Sequence, residues 1–204
     1  MIATVVGFLA MLNPFALFLY LTPVMRELDG KQFDRVVLKA SAISFGISFF
    51  FFLTGDFIFK YILHISFDSF RVFGGIVIFS FAYLYLVRGQ RAMISMKTDL
   101  NELASEISLP FMVGAGTISL AIVMADDGYS LIEGLLLLLV IFTINYLFIV
   151  FLRLLRSHIE RRKFRVAFDK NMEILLRLSG FFIGAIGVDM IITGLRYIIS
   201  GGGV

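Results

Sequence analysis

The sequence predicts an all-α membrane protein: six transmembrane helices in two inverted three-helix repeats, with interrupted first and fourth spans. Three observations carry this. Of 204 residues, 59% are hydrophobic and 16% charged, with mean hydropathy +0.95, against roughly 45–50% and 25% in soluble domains. The apolar residues fall in blocks approaching or exceeding the roughly 20 residues that cross a bilayer as helix. And motifs of the first half return in the second. Repeat 1 is expected over 1–88, a hydrophilic cytoplasmic linker over 89–106 and repeat 2 over 107–199, which leaves no length for a separate aqueous domain.

The first span runs from Ile2 to about Met25 and is too long, and too poor in basic residues at its start, for a cleavable leader. Asn13-Pro14-Phe15-Ala16 interrupts it. Pro14 lacks an amide hydrogen, and the residue before a proline is pushed out of helical geometry. The second span covers Val36 to Thr54, with an apolar continuation from Phe57 to Leu63, and the third covers Phe70 to Val87. The fourth, Ile107 to Ala125, carries Gly114-Ala115-Gly116-Thr117 exactly where the first span carries its own break, 101 positions on. Each Gly lowers helix propensity by roughly 1 kcal/mol relative to Ala. The fifth span is Leu131 to Leu152 and the sixth Ile174 to Ile199. Gly201-Gly202-Gly203-Val204 reads as a loose tail.

The halves also share Phe70-Arg71-Val72-Phe73-Gly74 at the start of span three and Leu176-Arg177-Leu178-Ser179-Gly180 at the start of span six. A unit with an odd number of spans reverses orientation in its second copy, an arrangement found in many secondary transporters. Hydrocarbon offers no partners to freed backbone groups, so paired breaks imply a protein-lined or water-filled cavity between them. A half-helix start in such a cavity presents free N–H groups and about half a positive charge, suited to a carboxylate.

Fifteen of the eighteen Lys and Arg fall in the loops joining spans 1–2, 3–4 and 5–6 or beside them; only Lys60, Arg71 and Arg196 lie on the other side. Basic loops stay in the cytoplasm, which places both termini outside. The net charge of +3 is thereby a topology signal and not a nucleic-acid-binding surface. No Cys is present, so thiol chemistry and thiolate metal sites are excluded. His64 and His158 lie in or near loops with no metal constellation, Asp126-Asp127 reads as an exposed turn, and no phosphate-binding Gly-x4-Gly-Lys-Ser/Thr pattern occurs. An ATP-driven pump and an intramembrane hydrolase are therefore set aside, and no cofactor or metal is expected.

Polar residues within the spans are the candidates for function. A central Asp costs roughly 2.5–3.5 kcal/mol in a membrane, which makes Asp189 the first choice for ion coupling, with a neutral acid making one interhelical hydrogen bond as the other reading. Asn145 serves either as interhelical glue or as a substrate contact. Ser41, Ser44 and Ser48 share a helix face, suited to a pathway or to close helix packing. Arg71 and Arg177 either snorkel to headgroups or act as a clamp, and Asp68 can pair with Arg71. Gly74, Gly75, Gly180, Gly184 and Gly187 suit a close crossing of the third and sixth helices.

The motifs Phe8-Leu9-Ala10-Met11-Leu12-Asn13-Pro14 with Leu21-Thr22-Pro23, Ile65 to Ile76 with its Phe70-Arg71-x-x-Gly74-Gly75 element, and Pro110 to Thr117 resemble the MarC/SnatA family of integral membrane proteins over essentially the whole chain. The resemblance implies a six-helix transporter of small neutral amino acids such as glycine, alanine and serine, with proton coupling. Its substrate site would draw on Asn13, Pro14, Gly74, Gly75, Gly114, Gly116, Thr117 and Asn145. Three positions depart from the family pattern. Ala16 stands in place of a Gly, Ala115 in place of a Pro, and Asp189 in place of an uncharged amide. An exporter of ions or other small solutes through the same cavity is the alternative reading.

Overall fold

The computed structural model describes residues 2–22, 24–55, 57–88, 104–105, 107–159 and 162–200. Among these every regular element is helical. Helix α1 (Ile2–Leu12) and α2 (Pro14–Tyr20) are followed by a single turn, α3 (Val24–Glu27), then by α4 (Gly30–Thr54) and a π-helical segment (Ile58–Leu63). Helix α5 (Phe67–Arg88) ends the first half. The second half has a π-helical segment (Ile107–Met112), α6 (Ala115–Asp126), α7 (Leu131–Ser157) and α8 (Arg162–Ile199). Four stretches are long and apolar enough to cross a membrane: Gly30–Thr54, Phe67–Arg88, Leu131–Ser157 and Val166–Ile199. Thr4–Tyr20 and Ala115–Asp126 are shorter apolar stretches, and they belong to the two spans expected to be broken. The linker expected over 89–106 lies outside the described residues except for 104 and 105, and the 201–204 tail lies outside them entirely.

Two helices start earlier than hydropathy alone predicts. Helix α4 begins at Gly30, six residues before its apolar run, because Asp29 closes a capping box: its Oδ1 accepts the Gln32 N–H at 2.7 Å while Gln32 Oε1 accepts the Asp29 N–H at 3.2 Å. Helix α8 begins at Arg162, twelve residues before Ile174. Its charged first turns are held by ion pairs, Asp169 with Arg156 (2.7 and 2.9 Å) and Glu173 with Arg177 (3.1 Å). Helix α7 has its own capping box, with the Ser130 N–H bonded to Glu133 Oε2 at 2.8 Å and the Glu133 N–H bonded to Ser130 Oγ at 3.3 Å. Asp29 and Ser130 stand 101 positions apart, as do Asn13 and Gly114, the N-caps of α2 and α6. A capping box thus opens both α4 and α7, whereas α2 is capped by the Asn13 side chain and Gly114 has no side chain to cap α6.

Among the helix pairs that join the halves, α4–α7, α1–α6 and α5–α8 are each antiparallel. Helices α4 and α7 are matched by Asp34 with Arg153 at one end (2.9 Å), the Phe45 and Phe142 rings in the middle (6.4 Å) and the Phe52 ring over Gly134 at the other. The first span meets α6 through the Thr4 and Tyr129 hydroxyls (3.2 Å) and, deeper, through Met11 against Gly116. Helices α5 and α8 make the closest pair. A Cβ at Gly75 would stand 2.6 Å from the carbonyl oxygen of Gly187, and one at Gly187 would stand 2.9 Å from that of Gly75. Gly180 and Gly184 continue the seam against Ala82, and Gly194 extends it to the Asp68 carbonyl. Small residues let backbones approach in this way, as expected for the third and sixth spans.

The seam makes a direct prediction. Gly75→Leu must push two backbones apart, an overpacking cost of about 1–3 kcal/mol, and is expected to lower the Tm in detergent by about 5 °C. Gly46→Ala, where a Cβ meets nothing within 4 Å, is expected to leave the Tm unchanged or slightly raised. Equal melting of the two variants would show that the crossing does not depend on this contact.

Candidate functional site: a cavity between two helix breaks

The first break is made by Asn13. Its backbone is left-handed, φ 42° and ψ 72°, a region that Asn enters more readily than other side chains. Pro14 then takes the first position of α2, where a missing amide hydrogen costs nothing. The N–H of Ala16 turns to Asn13 Oδ1 at 3.3 Å, so the side chain supplies what the interrupted helix cannot. Ser179 Oγ, 2.7 Å from the Leu176 carbonyl of its own helix, is also 3.2 Å from that same Oδ1. Helix α8 is thereby tied to the joint in the first span. Asn13 is 5% exposed and its Nδ2 has no partner.

The second break lies at Val113 and Gly114. The π-helical turn before it closes with the Val113 N–H on the Ser108 carbonyl at 2.7 Å, and Gly114 then runs extended, φ −139° and ψ 179°. Thr117 takes the place of a capping side chain. Its Oγ1 accepts the Gly114 N–H at 3.0 Å and donates to the Gly114 carbonyl at 3.1 Å. Helix geometry leaves the first-turn N–H groups of Ala115, Gly116 and Thr117 without an intrahelical acceptor.

The two breaks share one cavity of about 110 Å³. One water needs about 10–15 Å³ on this measure, so the space admits several waters or one small solute. Asn13, Gly114, Gly116 and Thr117 line it, together with Ala115 and the first turn of α2. Its remaining wall is apolar: Met11 and Met112 from the interrupted spans, Ile78, Phe81 and Tyr85 from α5, and Ile183 from α8. Among the described residues no charged side chain lines it. The polar features are therefore the Asn13 amide, the Thr117 hydroxyl, the Tyr85 hydroxyl and the backbone N–H groups opening α6, whose dipole favours an anionic group.

The other residues singled out from the sequence lie elsewhere. Pro14 shapes the break without lining the cavity. Gly74 packs on Ala115, where a Cβ would stand 2.7 Å from the Ala115 Cβ, and Gly75 packs on Gly187; both are helix contacts behind the site. Asn145 is fully buried, and neither its Oδ1 nor its Nδ2 has a partner. The α4–α7 register places it level with Ser41, whose Oγ is also unpartnered. Asp189 is exposed on the outer side of α8, one residue before Met190, whose Cε reaches Gly74. Arg71 pairs with Asp68 (3.7 Å) and lies over the Phe67 ring, whereas Arg177 donates to the Leu86 carbonyl at 2.9 Å and so joins α8 to the last turn of α5. Sequence reasoning missed the α5 contribution of Ile78, Phe81 and Tyr85. Phe81 and Tyr85 stand four apart on one helix face, but so do the exposed Phe79 and Tyr83, so spacing gave no signal.

The chain can now be compared with known proteins. The model of the MarC family integral membrane proteins matches residues 1–199. The chain belongs to the MarC family. Relatives of this MarC protein include a UPF0056 membrane protein of Aquifex aeolicus (strain VF5), 27% identical over 94% of this chain and 90% of its own. They also include YvbG of Bacillus subtilis (strain 168), 26% identical over 94% and 92%, and YhcE of Escherichia coli (strain K12), 26% identical over 96% and 92%, both UPF0056 membrane proteins. No solved structure matches. Family membership and the apolar helices agree on a multi-pass integral membrane protein.

The break in the MarC protein's first span yields a test. Asn13→Ala removes the cap, worth about 0.5–2 kcal/mol, and removes the local side-chain hydrogen bonding that offsets the cost, about 1–2 kcal/mol, of left-handed backbone in a residue with a Cβ. Asn13→Gly keeps the backbone and costs a few tenths of a kcal/mol at the cap. Thermal unfolding in detergent should rank wild type and Asn13→Gly close together and Asn13→Ala about 5 °C lower. The reverse order would remove Asn13 as the origin of the break.

Proposed function

We propose that this chain is a secondary transporter of small neutral amino acids, of the glycine, alanine and serine class, working by alternating access with proton coupling. The observation that carries the reading is the single cavity at which both helix breaks meet. A zwitterion matches its features. The carboxylate would take the free N–H groups at the start of α6, the ammonium would face the Asn13 and Thr117 oxygens, and a small side chain would rest against Met11, Ile78 and Ile183. No charged side chain lines the cavity among the described residues, which favours a solute carrying both charges over a bare ion whose lost hydration no full opposite charge would offset.

Six crossings in two inverted halves provide the machinery. In support, the helix pairs α1–α6, α4–α7 and α5–α8 are each antiparallel, as corresponding members of an inverted repeat must be, and the N-caps recur at one offset. One half would rock against the other about the cavity, with the basic loops in the cytoplasm and both termini outside. Asp189 is the coupling group in this reading. A carboxylate at mid-span is costly in lipid, so this role requires a conformation in which water reaches Asp189 on α8.

Proteoliposomes test the proposal. Saturable uptake of labelled glycine or alanine, absent from empty liposomes and stimulated by a pH gradient, is the expected outcome; no uptake of any small amino acid would reject it. Gly116→Leu, which meets only the flexible ends of Ile78 and Met11 and fills the cavity, is expected to fold and to abolish uptake. Asp189→Asn is expected to remove the stimulation by the gradient while exchange of amino acid across the bilayer persists. Undiminished stimulation would move the coupling role to another residue.

A further inference from the structure

A second cavity, of about 300 Å³, opens between the start of α4 and the end of α7. We propose that it binds the phosphate of an anionic phospholipid headgroup. Arg153, Arg156 and Ser157 line its polar side, and Met25, Leu28 and Phe33 its apolar side. Two guanidinium groups in one concave site are the usual means of holding a phosphate through directed hydrogen bonds. Each is fixed in place from behind. Arg153 donates one Nη to Asp34 at 2.9 Å and lies over the Phe33 ring, and Arg156 grips Asp169 through Nε and one Nη at 2.7 and 2.9 Å. Those contacts use one edge of each group and leave the other Nη of each for a ligand.

Gly30, the first residue of α4, lines the same cavity. Asp29 caps the Gln32 N–H, while the N–H groups of Gly30 and Lys31 have no intrahelical acceptor. A Cβ at Gly30 would collide with the Arg153 guanidinium, so glycine is what allows that group to lie across the first turn of α4. The Ser157 hydroxyl donates to the Leu154 carbonyl at 2.8 Å, so the phosphate would be held by the two guanidinium groups and not by Ser157.

The choice of a lipid over free phosphate follows from position and from the other wall. The two Arg–Asp pairs are neutral together, and the excess charge comes from Lys31 and Arg35, both exposed on the first turns of α4, with Asp29 at the cap opposing them. The site lies where the apolar runs of α4 and α7 end, at the depth of headgroups. Met25, Leu28 and Phe33 give an amphiphile's glycerol and upper acyl carbons a surface that an inorganic anion would not use. Loops rich in Lys and Arg face the anionic leaflet in this class of protein.

The full chain, purified in neutral detergent, is melted with phosphatidylglycerol, with phosphatidylcholine and with inorganic phosphate. This readout requires no transport and stands or falls apart from the proposed activity. Phosphatidylglycerol is expected to raise the Tm by on the order of 5 °C at saturation, with little effect from the other two. Ser157→Glu, an exposed position that sets a carboxylate in the cavity, and Arg156→Lys, which keeps the charge on Asp169 but loses the second edge, are expected to lose at least half of that shift from their own baselines. An equal shift with phosphatidylcholine, a full shift in both variants, or the whole effect from inorganic phosphate alone would overturn the assignment.

Discussion

A peptide group inside a bilayer has no water to turn to, so each N–H and C=O must find its partner within the protein. That constraint governs this fold. Long helices satisfy it without help, and α4, α5, α7 and α8 do so. The first and fourth spans do not, and each solves the problem locally. At Asn13 a side-chain oxygen reaches the Ala16 N–H; at Gly114 the Thr117 hydroxyl serves both the N–H and the carbonyl. What remains unsatisfied, the Asn13 Nδ2 and the first-turn N–H groups of α6, lies along one cavity. The polarity of this cavity is the residue of two incomplete repairs brought face to face.

Around that centre the packing divides by residue size. The α5–α8 seam runs on glycine and alanine, close enough for carbonyl oxygens to sit where side chains would otherwise stand. The α4–α7 seam runs instead on phenylalanine, with rings from Phe45, Phe52 and Phe142 filling the space between backbones. Asp34 with Arg153 fixes its register where the helices leave the apolar region, and Asp169 with Arg156 ties α8 to the same end of α7. Partly buried pairs of this kind are screened less than surface ones, which lets a few of them set the alignment of long helices.

Much of this was legible from the amino acids. Proline after asparagine, and two glycines in a span otherwise apolar, mark breaks whatever the tertiary context, because their effect is local. Four of the five glycines expected at a close crossing of the third and sixth spans are found there, because small residues in apolar helices have few other uses; the fifth, Gly74, packs instead on Ala115 of α6. The rotation of each helix was not legible. In water an apolar stripe shows which face turns inward, but a lipid-facing surface is as apolar as the core. Nothing in the sequence therefore distinguished Tyr85, which reaches the cavity, from Tyr83, which is exposed, or showed that Asp189 points outward while Met190 packs inside. The start of α8 was hidden because its charges are matched by partners far along the chain or four residues on. The capping boxes at Asp29 and Ser130 were readable by rule and mark the helix starts better than hydropathy does.

The glycine seam has a mechanical consequence. Two backbones in direct contact have no flexible side chains between them to act as a lubricant, so α5 and α8 form a stiff mast. Bending must then be absorbed by the joints at positions 13 and 114, and the Ser179 hydroxyl, reaching from the mast to the first of them, transmits any tilt of one to the other.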